Sequence, residues 1–161
     1  MMPEIISISP KKLIGRRLKM TFANNQTSEL FRSFMPERKA IKNNISNDVF
    51  CVQLYQNFHG FDDFKPEVEF EKWAAIEVSD VTNIPVGMEP YTLTGGFYAV
   101  FHYVGSSSDT RIFEYIFKTW LPDSGYVLDQ RPHFEILGDK YKNNDPDSEE
   151  DIWIPVRLKM A

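Results

Sequence analysis

The spacing of hydrophobic and polar positions changes along the first half of the chain, and each spacing indicates a different element. Apolar residues alternate in part near the start, as in extended chain, and Pro10 interrupts the alternation. A helical stripe follows, and Pro36 ends or kinks it. The predicted elements are an extended segment at 4–22, a helix from the capping residues 24–27 to about 35, and strands at 49–55 and 69–78. Residues 80–92, with two prolines and a glycine, are predicted to form a linker.

The second half repeats this order of elements. A strand precedes a serine-rich stretch that offers helix caps. Apolar residues from Ile112 to Leu121 then have the spacing of one buried helix face, and Pro122 is predicted to stop the helix. The predicted strands of this half lie at 97–103, 132–138 and 151–159. The acidic stretch 143–150 between the last two strands is interpreted as a solvated hairpin tip.

Two short segments of the first half recur in the second half with a similar type of residue at most positions. Residues 31–36 (FRSFMP) match 117–122 (FKTWLP), and residues 73–78 (WAAIEV) match 153–158 (WIPVRL). Each half is therefore predicted to be a strand–helix–strand–strand module, at about 4–80 and 90–159, within a single domain spanning 1–161. Half-modules of this size bury too little surface alone. We expect an α+β fold with pseudo-two-fold symmetry, a mostly antiparallel sheet, and two helices flanking a central ligand groove.

Composition narrows the classes of function. The chain has 161 residues, a net charge of −5 and an isoelectric point of about 5.2, which does not favour binding to nucleic-acid phosphates. Cys51 is the only cysteine, so an intrachain disulfide is excluded and a reducing compartment fits. No membrane-length apolar run and no signal peptide are evident, so a cytoplasmic location without membrane contact is expected.

Four motifs follow one another along the second half of the chain: Gly105 after an aromatic strand, and residues 120–126, 132–135 and 151–156. In this order they resemble the gyrase-inhibitory-protein-like (GyrI-like) effector-binding domain, which also forms the C-terminal ligand domain of some multidrug-responsive transcription activators. The resemblance implies a duplicated strand–helix–strand–strand fold with a pocket between the helices. It also implies that a glutamate at the pocket base, with aromatic neighbours, attracts flat cationic compounds.

The resemblance assigns two residues to this pocket, and the sequence departs from the family pattern in two ways. Glu135 matches the pocket glutamate, and Trp153 matches the aromatic residue of the motif that ends in Ile-Pro-Val. Leu137 stands where the family often has tyrosine. The first 22 residues are too short and too strand-like for a helix-turn-helix, so direct DNA binding is not expected.

Strand geometry supports Glu135 as the centre of a ligand site. His133, Glu135 and Leu137 share one face of their predicted strand. A carboxylate with reduced solvation among aromatic rings favours a cationic partner. The repeat aligns Gln53 of the first half with Glu135 of the second, so only one of the two equivalent positions carries a charge. The alternative is a glutamate on a wetted sheet face, paired with an arginine at 131 or 157.

The aromatic residues supply candidate walls for the groove. The predicted ligand-binding set is Glu135, His133, Tyr55, Trp73, Tyr98, Phe101, Trp120 and Trp153. For each aromatic residue alone, packing in the core is the favoured interpretation, but as a set these residues exceed what two small helices need, so some are expected to line the groove. The three histidines lack the spacing of a zinc site. We therefore expect neither a metal nor a cofactor.

The sequence thus predicts a stand-alone binding protein for a small, flat, hydrophobic and cationic molecule. Its role would be to sequester a toxic compound or to pass a ligand signal to a partner protein. Two alternatives stay open. One is a hydrolase of reactive electrophilic natural products, with Glu135 as general base and only catalytic residue. The other is an inhibitor module that binds a topoisomerase-like partner.

Overall fold

The computed structural model describes residues 1–160. Its nine strands are β1 (Glu4–Ile8), β2 (Lys11–Met20), β3 (Val49–Leu54), β4 (Phe70–Glu77), β5 (Glu89–Leu93), β6 (Gly96–Val104), β7 (Tyr126–Leu128), β8 (His133–Leu137) and β9 (Glu149–Leu158). Helix α1 (Thr27–Phe34) continues as a 3-10 helix, Met35–Ala40. Helix α2 (111–123) contains the π-helical segment Tyr115–Trp120. Within residues 1–160, no helix is long and apolar enough to cross a membrane.

The strand order has the symmetry of a duplicated module. The strands follow the order β1-β6-β9-β8-β3-β4-β2-β5, with β7 paired to β9 outside this path, and all pairs are antiparallel. The order β6-β9-β8 in one half mirrors β2-β4-β3 in the other, so the pseudo-two-fold axis passes between β8 and β3. The first strand of each half pairs with the outer strand of the opposite half: β1 of the first half pairs with β6, and β5 of the second half pairs with β2. The predicted duplicated α+β fold is confirmed.

The hydrogen-bond register locates the axis. Val52 pairs with Phe134 between β3 and β8, and their outer partners are Trp73 and Trp153. This symmetric row equates Trp73 with Trp153, as the sequence repeat does. It also equates Gln53 with Glu135, because Gln53 follows Val52 and Glu135 follows Phe134 in the sequence.

Short connections force the sheet to curl. Ser9 and Pro10 alone join β1 at one edge to β2 near the other edge, and Thr94 and Gly95 join β5 to β6 in the same way. Such connections span only about 10 Å. The concave face therefore closes around its own core of Leu13, Phe50, Val52, Trp73, Ala75, Leu93, Tyr98 and Phe134. Burial of these side chains leaves the opposite, convex face for the helices.

Both helices pack on the convex face, each against its own half of the sheet. Leu30 and Phe34 of α1 contact a cluster that includes Ala74 of β4. Ile116 of α2 contacts a cluster that includes Ile152 of β9. The convex surface of β3 and β8 lies between the helices, so residues there form the floor of a central groove.

Arg131 holds the curled sheet together near the junction of β5 and β6. Its guanidinium donates hydrogen bonds to the carbonyl oxygens of Gly95, Phe97 and Val156, at 3.2, 2.6 and 3.1 Å. It also forms an ion pair with Asp129 at 2.7 Å. Arg131 is therefore not the partner of Glu135 that one interpretation of the sequence placed there.

Proline is involved in three of the differences from the sequence prediction, and the short strand β7, which was not predicted, is a fourth. Strand β5 lies within the predicted linker and contains Pro90, which an edge strand tolerates because its nitrogen needs no ladder partner. Pro36 lies at the start of the 3-10 segment that follows α1, and Pro122 lies in the last turn of α2, where π-helical geometry gives way to α-helical geometry. Helix α2 continues through Pro122 to Asp123 instead of ending before it.

Candidate functional site

The floor of the groove is a row of side chains across four strands. In the antiparallel register, Cys51 of β3 pairs with Ala74 on one side and with Glu135 of β8 on the other, and Glu135 pairs with Ile152 of β9. Paired residues point to the same face of a sheet. Since Ala74 contacts the core under α1 and Ile152 the core under α2, Glu135 lies midway between the helices.

The carboxylate of Glu135 has a neutral hydrogen-bond partner. Gln53 donates from Nε2 to Glu135 Oε2 at 2.9 Å, and the same Nε2 lies 3.3 Å from Cys51 Sγ. Burial raises the pKa of Glu135 above its ordinary value, while the positive charge of Lys72 and the Gln53 hydrogen bond oppose this rise. The ionised form of Glu135 is therefore less stable here than in water.

Lys72 lies on the same floor without pairing with Glu135. Its Nζ donates to Thr27 Oγ1 at the start of α1, at 2.9 Å. Among residues 1–160, no lysine, arginine or histidine nitrogen lies within 4.0 Å of the Glu135 carboxylate. The carboxylate thus lacks a direct ion-pair partner, which a cationic ligand would supply.

Above Glu135 lies a groove of about 560 Å³, bounded by α2 and by the loop between β3 and β4. Phe61 from this loop packs its ring 5.7 Å from Phe113 and 5.3 Å from Phe117, both on α2. At the floor, Tyr55 stacks on Phe58 at 4.6 Å and meets His133 edge-on at 5.3 Å. Aromatic rings therefore form a large part of the groove lining, which suits a flat apolar ligand.

Three titratable groups beside Glu135, namely His133, Tyr55 and Cys51, are neutral near pH 7. Burial and the charge of Arg131 lower the pKa of His133 to about 3. Burial raises the pKa of Tyr55 well above its usual range, and the negative charge of Glu135 adds to this. Burial likewise raises the pKa of Cys51 to about 12, so this thiol is not a nucleophile.

The mouth of the groove adds negative charge. Asp62, Asp63 and Glu114 border it, together with Lys118, which forms an exposed ion pair with Asp62 at 3.5 Å. With Glu135 and Lys72 on the floor, four carboxylates face two ammonium groups. A surplus of carboxylates raises the local concentration of cations. Among residues 1–160, no cluster of His, Cys, Asp and Glu suits a metal ion.

The structure separates the predicted ligand-binding residues into two groups. Glu135, His133 and Tyr55 border the groove on the convex face. Trp153 also borders it, but its ring stacks on Phe134 at 5.1 Å and packs against the concave core, as the ring of Trp73 does. The other four are core residues that do not border it: Trp73 and Tyr98 on the concave face, and Phe101 and Trp120 under α2. Ligand binding by the first group stays a prediction.

Sequence reasoning missed the groove residues of the β3–β4 loop and of the exposed part of α2. Phe61 borders the groove and Phe58 packs behind it at 4.9 Å. Both lie in a segment without helical or strand periodicity, so nothing in the pattern distinguished them from solvent-facing loop residues. Phe113 and Phe117 do fit the apolar stripe of α2, which predicts burial but not the cavity that they border. The clustering of phenylalanines at 58, 61 and 64 was the available indication.

The chain belongs to the GyrI-like family. The sequence profile of the GyrI-like small molecule binding domain matches residues 1–157. The family resemblance found in the sequence motifs is therefore confirmed. No curated protein sequence matches the chain significantly.

Solved structures show the same fold. SAV2435 bound to tetraphenylphosphonium has a TM-score of 0.69 and 16% identity, over 98% of this chain and 94% of that one. The EcmrR C-terminal domain has a TM-score of 0.65 and 15% identity, over 97% of each chain. A hydrolase from Listeria innocua has a TM-score of 0.61 and 14% identity, over 97% of this chain and 92% of that one. At these identities the likeness establishes the fold alone.

Proposed function

We propose that the groove binds small, flat, hydrophobic cations and that Glu135 is their charge partner. The observation that carries the proposal is a partly buried carboxylate with one neutral hydrogen-bond donor, Gln53, and no ion-pair partner within residues 1–160. Such a group gains from a cation because the pair replaces hydration that burial has removed. The bound tetraphenylphosphonium in SAV2435, a protein of similar fold, supports this ligand class.

The walls complement the charge. Aromatic rings attract a cation by about 0.5–2 kcal/mol each when the site excludes water. The groove volume of about 560 Å³ lies in the range of small-molecule sites. The acidic mouth favours entry of cations over anions. We infer that the role is to capture such a compound, either to sequester it or to pass its presence to a partner protein. The role includes no direct DNA contact, because the net charge of −5 opposes binding to phosphates.

The test is calorimetric titration with tetraphenylphosphonium and with uncharged triphenylphosphine oxide as a matched ligand. We expect the cation to bind at least about tenfold more tightly than the oxide. The variant Glu135→Gln preserves shape and removes the charge, and it is expected to lose about 2 kcal/mol or more of cation affinity but little affinity for the oxide. Glu114→Gln at the exposed mouth is the control, with a loss of less than about 1 kcal/mol.

Two results would contradict the proposal. One is equal affinity of wild type for the cation and the oxide. The other is cation binding by Glu135→Gln that equals wild type. The same titrations, followed by analysis of the ligand afterwards, also address catalysis: chemical consumption of an electrophilic ligand that requires Glu135 would establish the hydrolase alternative instead.

A further inference from the structure

A second groove lies on the other side of the pseudo-two-fold axis. It has a volume of about 710 Å³ and is bounded by the end of α1 and by the loop after β8. Phe31 of α1 borders it, and the sequence repeat equates Phe31 with Phe117, which borders the groove of Glu135. The loop after β8, at 138–141, likewise corresponds to the loop after β3 in the first groove. Duplication has therefore built two grooves of the same construction.

The two grooves differ in charge. Arg38, Lys39 and Lys42 border the second groove, against a single carboxylate, Asp139. In residues 1–160, none of the three cations has a carboxylate oxygen within 4.0 Å. The acidic residue of the same 3-10 helix, Glu37, is held by Arg16 at 2.8 Å and does not border the groove. The charges in the second groove are therefore opposite in sign to those in the first.

The base of the second groove is apolar. Ile41, Val49 and Ile76 are buried there, and Met35 and Leu137 are partly buried. Tyr141 adds an aromatic ring at the side. An apolar base beneath three positive charges matches a ligand with an apolar body and an anionic end, because the body removes apolar surface from water and the charge reaches the rim.

We propose that this second groove binds an organic anion with an apolar aromatic or aliphatic body, such as a hydrophobic carboxylate. The protein then carries two ligand sites of opposite charge preference, one on each side of its pseudo-two-fold axis. The second site does not depend on Glu135, so it stands or falls independently of cation binding in the first groove.

The test uses the full chain and amide NMR spectra, with 2-naphthoate as the probe and uncharged 2-naphthamide as its matched control. We expect 2-naphthoate to give saturable shift changes at residues 31–47 and 137–141, and 2-naphthamide to bind at least about fivefold more weakly. The variant Arg38→Gln/Lys39→Gln/Lys42→Gln removes the three charges, and none of these side chains makes a hydrogen bond within residues 1–160. It should bind 2-naphthoate at least about fivefold more weakly, the combined effect of three exposed charges.

Glu135→Gln is the second control and should bind 2-naphthoate as wild type does. The proposal is overturned if the carboxylate and the carboxamide bind equally, or if no saturable shifts occur at millimolar 2-naphthoate. It is also overturned if the shifts centre on Gln53 and Glu135, since the anion would then occupy the first groove. The comparison of the two probes on wild type decides the matter even where the triple variant folds poorly.

Discussion

Cation binding in the first groove is expected to weaken as the pH falls. Burial raises the pKa of Glu135, so protonation of this residue begins at a higher pH than for an ordinary glutamate. A cation binds the ionised form of Glu135, so its binding at low pH requires the carboxyl group to release its proton. Below the pKa of free Glu135, each pH unit therefore costs about 1.4 kcal/mol, or about tenfold in affinity. Well above that pKa the affinity should not change with pH.

Two other groups on the convex face, His133 and Glu150, have shifted pKa values that bear on this titration. His133 has a pKa of about 3 and stays neutral above pH 5. Glu150 shares the convex face with Glu135, and its pKa is raised to about 7 by burial and then by the charge of Glu135. Protonation of Glu150 near pH 7 removes a second negative charge and adds a shallower dependence. The variant Glu150→Gln isolates the contribution of Glu135.

The assay is calorimetry with tetraphenylphosphonium at pH 8, 7, 6 and 5, because the charge of this ligand does not change with pH. In Glu150→Gln, the affinity should fall as the pH falls, and the slope of its logarithm against pH should steepen toward the acidic end. In Glu135→Gln it should be nearly flat there. Equal affinity of wild type at all four values, or an unchanged slope in Glu135→Gln, would refute the reasoning.

Three further predictions concern stability. Glu135→Gln should stabilise the ligand-free protein by about 0.5–2 kcal/mol in urea unfolding at pH 8, and by less at pH 4.5. The reason is that the folded state raises the pKa of Glu135, so the ionised carboxylate destabilises the fold increasingly as the pH rises. A larger gain at pH 4.5 than at pH 8 would contradict this. Phe58→Ala should destabilise by about 3–5 kcal/mol, since this ring is only 2% exposed; a change below 1 kcal/mol, seen as an unshifted urea midpoint, would show that the loop does not pack as described. Arg131→Lys keeps the charge but loses the fork that binds three carbonyl oxygens, and a melting curve should show a loss of about 2–3 kcal/mol, whereas an unchanged melting temperature would exclude this role.

The duplicated fold could be predicted because local and global patterns agree. The repeat places Trp73 and Trp153 at equivalent positions, and the register across the axis confirms that equivalence. Elements with weak patterns were missed. Strand β5 is a short edge strand with a proline, and β7 has only three residues, so their formation depends on pairing with β2 and β9 rather than on local propensity.

The candidate site was only partly predictable. Alternation within one strand places His133 and Glu135 on the same face, and this needs no tertiary information. The hydrogen bond from Gln53 to Glu135 depends on β3 pairing with β8 in one register, which the sequence pattern leaves undetermined. The position of Phe61 in the groove wall, with Phe58 packed behind it, depends on how a loop folds over the sheet. Loop packing has no periodicity from which to predict it.

The most direct test of the central claim is the pKa of Glu135 with and without a cation. Carbon-detected NMR of glutamate-labelled protein gives this pKa from the shift of the side-chain carboxyl during a pH titration. In the free protein the pKa should lie above the ordinary glutamate value. With saturating tetraphenylphosphonium it should fall, because the cation stabilises the carboxylate. An unchanged Glu135 pKa in the saturated complex would contradict the assignment of this residue as the charge partner.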